Sequence, residues 1–327
     1  MADMRITPVL LTLLLLVSCT GQTPLRTTPS PAPVPTASPI PASTPPPPFA
    51  VIGYLPDYRD ANANWGSRLT DIIYFSAEPR ADGTLDASRL NENVLGKLHE
   101  MQARFGMRLL LSIGGWQRSD GFAAMTSQVG TRSHFVESLA EYIHANKLNG
   151  ADFDWEFPQD ETQFQDYILL LQEVQANFQP KGLLLSVALS PDFEFPLAPF
   201  AVVDRIHVMS YDRGPRHSTY TQAVADLNTF VSAGLPKEKL VLGVPFYGRE
   251  IANTENAYSY ADIVEKFHPM PALDEMSGIF FNGIQTIQRK TCYARQNGFG
   301  GVMIWELGQD TADSSSLLQA IQRSQCS

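Results

Sequence analysis

Three carboxylates recur at every second position in one short stretch, Gly150-Ala151-Asp152-Phe153-Asp154-Trp155-Glu156-Phe157-Pro158. In an extended strand, successive side chains point to opposite faces. Asp152, Asp154 and Glu156 then share one face, and Phe153 and Trp155 share the other. Like charges this close repel and raise one another's pKa values. A purely structural strand gains nothing from that. A site that needs one carboxylic acid protonated near neutral pH, beside ionised ones, does. The plain alternative is a solvated edge strand with a charged outer face. Pro158 breaks a strand, which places Glu156 at the strand's C-terminal rim.

The elements that must position this stretch are legible as apolar, β-rich runs. They fall near residues 49–54, 71–75, 107–113, 151–156, 183–189, 205–211, 240–244 and 301–305. Helical patterns fall near 87–104, 133–147, 162–178, 220–233, 284–297 and 314–323. Eight strands alternating with helices predict an α/β fold, a closed (β/α)8 TIM barrel. The competing doubly wound sheet would place a G-x-G-x-x-G turn after an early strand, and Leu55-Pro56-Asp57-Tyr58-Arg59 stands there instead. In a barrel, chemistry gathers at the C-terminal strand ends. These read Ser112-Ile113-Gly114-Gly115-Trp116, then the carboxylates, Met209-Ser210-Tyr211-Asp212, Pro245-Phe246-Tyr247-Gly248-Arg249 and Met303-Ile304-Trp305-Glu306. Aromatic faces that stack on pyranose rings, converging with carboxylates, point to a sugar site.

Composition narrows the partners. The chain has 327 residues, 44% of them hydrophobic, and a net charge of -10. An acidic surface argues against nucleic acid and suits a neutral polysaccharide. The six histidines form no metal motif, and His207 on a barrel strand reads as an ordinary packed or hydrogen-bonded residue. No cofactor and no metal are expected. Residues 1–18 read as a signal peptide, since the apolar run 9–17 is too short to span a bilayer. Leu16-Val17-Ser18-Cys19 resembles a bacterial lipobox, which implies lipidation of Cys19. Residues 19–48, rich in Pro, Thr, Ser and Ala, read as a semi-rigid tether, and 49–327 as the catalytic domain. The expectation is an exported, membrane-anchored monomer on the cell envelope or surface. Cys292 and Cys326 can pair in that compartment, but sequence alone does not bring their Cα atoms within bonding distance.

With those motifs in order, the sequence resembles glycoside hydrolase family 18, the chitinase family. Asp152, Asp154 and Glu156 match its D-x-D-x-E core, and Ser112-Ile113-Gly114-Gly115 its S-x-G-G motif. Met209-Ser210-Tyr211-Asp212 matches M-x-Y-D, Trp305 the eighth-strand tryptophan, and Pro245 to Arg249 the seventh-strand motif. Asn149 stands where the long motif has Asp, opposite in parity to the trio, so its consequences should be structural. The interval between the seventh-strand motif and the eighth strand looks too short for the small α+β domain that many members insert. A shallower groove and endo action would follow.

The resemblance implies retaining, substrate-assisted hydrolysis of β-1,4-linked N-acetylglucosamine in chitin or chitooligosaccharides. Glu156 would be the general acid, and Asp154 would orient the substrate acetamido group. Asp152 would share a hydrogen bond with Asp154, and Tyr211 would bond the acetamido carbonyl. Asp212, Met209 and Trp305 would hold the sugar, with Tyr247, Arg249, Gly115 and Trp116 also on the substrate side. Gly115, like Ser112 and Gly114, would serve mainly by being small. Trp65 and Phe193 are further candidates for outer subsites. Trp155 should pack outward against helices. The alternatives are an endo-β-N-acetylglucosaminidase, a peptidoglycan-directed hydrolase, and an inactive chitin-binding lectin.

Overall fold

A computed structural model describes residues 48–326. The signal peptide, Cys19 and nearly all of the linker lie outside the described residues. Eight parallel strands close a barrel: β1 Ala50–Pro56, β2 Asp71–Pro79, β3 Arg108–Gly114, β4 Gly150–Asp154, β5 Leu184–Leu189, β6 Arg205–Val208, β7 Leu240–Pro245 and β8 Gly301–Trp305. Each pairs with its chain neighbour, and β1 pairs with both β2 and β8, which leaves the ring without an open edge. The fold is the expected TIM barrel.

Strand alternation sorts the apolar residues into two sets. Ala50, Ile52, Tyr54, Ile73, Phe75, Leu110, Val241 and Met303 meet inside the barrel. Val51, Leu55, Leu109, Leu111, Ala151 and Phe153 point outward into the larger core under the helices. Trp155 follows that outer set: its ring stacks on Phe122 at 4.9 Å and 10°, with Tyr167 at its edge. At the opposite end of the barrel from the strand C-termini, fully buried Asp71 pairs with Arg108 and Arg205, tying the starts of β2, β3 and β6.

The outer ring comprises α1 Glu92–Phe105, α2 Gly121–Thr126, α3 Val129–Ala145, α4 Glu161–Phe178, α5 Tyr220–Ser232, α6 Tyr260–Phe267, α7 Ile284–Gln296 and α8 Leu317–Gln322. α1 starts later than expected because Asn91 caps it, accepting from the Asn93 and Val94 amides. Thr219 and Gln222 form a reciprocal capping box that fixes the start of α5. The Asn149 side chain accepts from the Leu109 amide and from Gln102, a structural task at the foot of β4. Among the described residues, no helix is long and apolar enough to cross a membrane.

Two expectations change. First, the interval after β7, expected to be too short for a small α+β domain, carries short strands beside its helix. Tyr247–Glu250, Ala257–Ser259, Glu275–Met276 and Ile279–Phe280 form a small antiparallel sheet, accompanied by α6. Its strands are two to four residues long, too short to show alternation in sequence. Second, β4 and β6 stop at Asp154 and Val208. Glu156, Met209, Tyr211 and Asp212 therefore stand on the loops just past the ladder.

Cys292 of α7 and Cys326, past α8, form a disulfide with Cα atoms 5.1 Å apart. The bond closes a loop of sequence separation 34. Removing it should release chain entropy in the unfolded state worth about 3–4 kcal/mol. Cys326→Ser should lower urea stability by roughly that amount, and the parent under reducing conditions should match it. Equal stability of oxidised parent and variant would contradict the prediction.

Candidate active site

β4 carries Asp152 and Asp154 into the barrel interior, and the chain brings Glu156 to the rim. Of the three, Asp152 is the best satisfied. Its Oδ2 accepts from the Tyr54 hydroxyl at 2.6 Å, and its Oδ1 from Ser186 at 2.6 Å. His207 Nδ1 lies 3.1 Å from Oδ1 and 2.9 Å from the Tyr54 oxygen. Tyr54 has one hydrogen, given to Asp152, so it accepts from His207, which assigns a proton to Nδ1.

Asp154 is buried without such support, and its Oδ1 has no protein partner among the described residues. Burial, with the neighbouring charges of Glu156 and Asp152, pushes its pKa well above the ordinary carboxylate range. Burial also pushes Glu156 up, to about 7, reinforced by the negative charge of Asp212.

The turns after β3 and β4 are locked together by one side chain. The buried Ser119 hydroxyl lies 3.1 Å from the Gly115 carbonyl and 3.2 Å from that of Asp154, and it accepts from the Glu156 amide at 3.1 Å. Gly115 also donates its amide to the Asp154 carbonyl at 2.6 Å. A Cβ on Gly115 would lie 2.2 Å from the Phe75 ring, at a φ of 101° that disfavours any side chain. Gly115 therefore permits the close approach and does not line the cleft.

Asp212 sits at the opposite wall, in the left-handed region at φ 61°. Burial alone would raise its pKa. Hydrogen bonding with His217 and Arg249 outweighs that and holds it well below the usual range. The Arg249 guanidinium donates through Nε to Asp212 Oδ1. Burial, then the Asp154 charge, pushes the Tyr211 hydroxyl well above its usual pKa, so it stays a donor. Its nearest side-chain partner is Met303 Sδ at 3.9 Å.

A cavity of about 690 Å³ opens over these groups, with Asp154, Glu156, Met209, Tyr211, Asp212 and Trp305 on its wall. Trp305 stands edge-on to Phe75 at 4.9 Å and to Tyr54 at 5.6 Å, which holds the indole in place. On the lips, Tyr58 and Trp116 are 64% and 68% exposed, apolar faces left free for a ring to stack on. Arg118 braces that side. It bonds Asp57 at 3.0 Å and Ser76 at 3.1 Å while lying over the Phe75 ring.

Some candidates lie elsewhere. Tyr247 is buried behind Asp212, against Tyr211 and His217, and does not face the cavity. Trp65 is buried in the outer core, and Phe193 packs among Phe164, Phe195 and Phe200. His207 is buried and hydrogen-bonded, within the expected reading, and its partners make it part of the cradle of Asp152. Its inward parity with Met209 and Tyr211 was the available signal. Ser186 stands beside Asp152 in the β4–β5 register, as Ser112 does in β3–β4. Ser119, Arg118 and His217 lie on loops, where no periodicity marks them. No group of three His, Cys, Asp or Glu among the described residues is placed to hold a metal ion.

Comparison with known proteins gives a consistent picture. The family model "Glycosyl hydrolases family 18" matches residues 50–310. Chitinase 1 of Aphanocladium album is 27% identical over 331 aligned positions, covering 77% of this chain and 78% of that protein. Chitinase A1 of Niallia circulans is 26% identical, over 67% of this chain and 43% of its own length. A solved chitinase from Bacteroides thetaiotaomicron superposes with a TM-score of 0.76 at 23% identity, over 84% of this chain and 96% of that one. At that identity the superposition speaks for the fold.

The Glu156 environment has a consequence for stability. Its folded-state pKa, about 7, lies above its ordinary 4.5, so folding favours the protonated form. That contribution is whole below pH 4.5 and fades as pH rises toward 7, where the folded chain must bury a charge. Glu156→Gln removes the penalty. At pH 8 the variant should be more stable than the parent by about 1–3 kcal/mol, with the gap closing by pH 4. Urea unfolding at both pH values measures it, and a gap that is absent or independent of pH would refute the burial argument.

Proposed function

The chain belongs to glycosyl hydrolases family 18, and from that premise we propose that it is a retaining chitinase acting on β-1,4-linked N-acetylglucosamine chains. The observation that carries the proposal is a carboxyl group at the cavity wall, Glu156, whose pKa of about 7 suits it to give a proton near neutrality and take one back. The chitinases among its relatives support the choice of substrate.

In this reading Glu156 gives its proton to the glycosidic oxygen. The C1–O bond breaks, and the leaving sugar departs as an alcohol. The substrate's own acetamido oxygen bonds to C1 from the opposite face and forms an oxazolinium ion. Asp154 ends β4 two residues before Glu156, on the same side of the bond and not across it, so its carboxyl oxygen suits the acetamido N–H better than direct attack. Tyr211, kept protonated, donates to the acetamido oxygen. Water then gives a proton to the Glu156 carboxylate and its oxygen to C1, which opens the ring with retention. Asp212, ionised and held by Arg249, binds the distorted sugar over Trp305.

Internal cleavage is the expected mode. Of the small sheet and its loop, three residues line the cavity: Arg249, Thr254 and Glu255. The expected lipid anchor at Cys19 with the Pro-rich tether would place the domain outside the cell, held to a membrane. Fatty-acid labelling that is unchanged by Cys19→Ser would contradict that placement.

Proton NMR of the parent on chitohexaose tests the chemistry. Early product should carry the β-anomer, and Glu156→Gln should lower turnover by about 10²–10⁴. An early α-anomer, or a variant as fast as the parent, would overturn the mechanism. No cleavage of chitohexaose would move the substrate to glycoprotein glycans or peptidoglycan.

A further inference from the structure

Lys290 lies on α7, in the outer ring, and is fully buried. A buried ammonium is costly unless its donors are met. Its Nζ donates to the Ser218 hydroxyl at 2.7 Å, to the Ser218 carbonyl at 2.8 Å and to Asn282 Oδ1 at 2.7 Å. The Asn282 amide donates to the same Ser218 carbonyl at 2.7 Å. Every contact of the ammonium thus converges on one residue or on that residue's other partner.

Ser218 in turn donates its hydroxyl to the Ser210 carbonyl at 2.7 Å. That carbonyl belongs to the peptide unit joining Ser210 to Tyr211. Two hydrogen bonds therefore connect the ammonium to the backbone of an active-site tyrosine. The neighbouring residue His217 faces Asp212, with Nδ1 at 3.5 Å from Oδ1. This support falls where the barrel provides little. β6 ends at Val208, and the amides of Ser210 and Tyr211 bond only to carbonyls two residues back. The peptide that presents Tyr211 has left the ladder, and beside the Met209 amide on the Leu189 carbonyl and the Ser210 hydroxyl on Asp226, the Ser218 bond is what holds its own carbonyl.

We propose that Lys290 is a positioning residue for the active site, fixing through Ser218 the loop that presents Tyr211 and Asp212. The inference rests on the chitinase reading above for what Tyr211 and Asp212 do. Lys290 touches no substrate, and its effect is on geometry. A displacement of about 1 Å in groups that meet the transition state can cost roughly 100-fold in rate.

Lys290→Met and Ser218→Ala test it, by steady-state kinetics on chitohexaose and by crystal structures of both variants. In each, kcat should fall about 10- to 100-fold while KM changes less than about threefold. The double variant should be no slower than the slower single, since both cut one chain of contacts. Should Lys290→Met fail to fold, Ser218→Ala, which removes only a hydroxyl, decides the matter. Values of kcat within about twofold of the parent in the folded variants would overturn the proposal. If the parent itself leaves chitohexaose intact, the chitinase reading fails separately. The structures then judge this inference alone: movement of residues 209–212 beyond about 0.5 Å supports it, and less overturns it.

Discussion

Asp152 and Asp154 point into the same closed barrel, one pleat apart, where water cannot screen them from each other. Charge buried there must be compensated or given up. Asp152 has Tyr54, Ser186 and His207 around its two oxygens, whereas Asp154 has no such partners on Oδ1. The asymmetry holds hydrogen bonds on the deeper group and drives the outer one toward its protonated form. Glu156, next along, feels burial and the charge of Asp212. Asp154 and Glu156 are thereby both held toward their protonated forms, and Asp212, tied to Arg249, supplies the contrasting ionised carboxylate.

The barrel provides the fixed frame for this arrangement and the loops supply its adjustable parts. Closure sets the register that puts Ser186 beside Asp152. Beyond the strand ends the ladder provides no partners, and single side chains take over. Ser119 ties the turn after β4 to the turn after β3. Arg118 spans the ends of β1 and β2. Ser218, itself held by Lys290, ties down the loop after β6. Ser119 and Ser218 bond the backbone at or beside groups proposed to meet substrate, and Arg118 itself lines the cavity.

Much of this was legible in sequence because parity is a hard constraint. The alternation of Asp152, Phe153, Asp154 and Trp155 placed two carboxylates inward and two aromatics outward, as the two core sets show. Eight β-rich runs predicted the barrel. What escaped had no periodic signature. Short strands such as Ile279–Phe280 carry too few residues to alternate. Tyr247 shares a motif with Arg249 but is buried behind Asp212, a distinction set by packing of the small sheet. Lys290 shares the buried face of α7 with Ile287 and Ala294, but spacing does not say what its ammonium pairs with. The tertiary contact with Ser218 and Asn282 explains how that buried charge is satisfied.

The account turns on burial and like charge holding Glu156 protonated up to neutral pH. Carbon-13 NMR titration of the glutamate side-chain carboxyls, with Glu156 assigned by comparison with Glu156→Gln, observes that directly. A midpoint near 7 for the Glu156 resonance is the predicted result. A midpoint near the ordinary 4.5 would mean that the rim solvates the charge. The proposed acid would then be ionised at neutral pH, and the account of the site would fail.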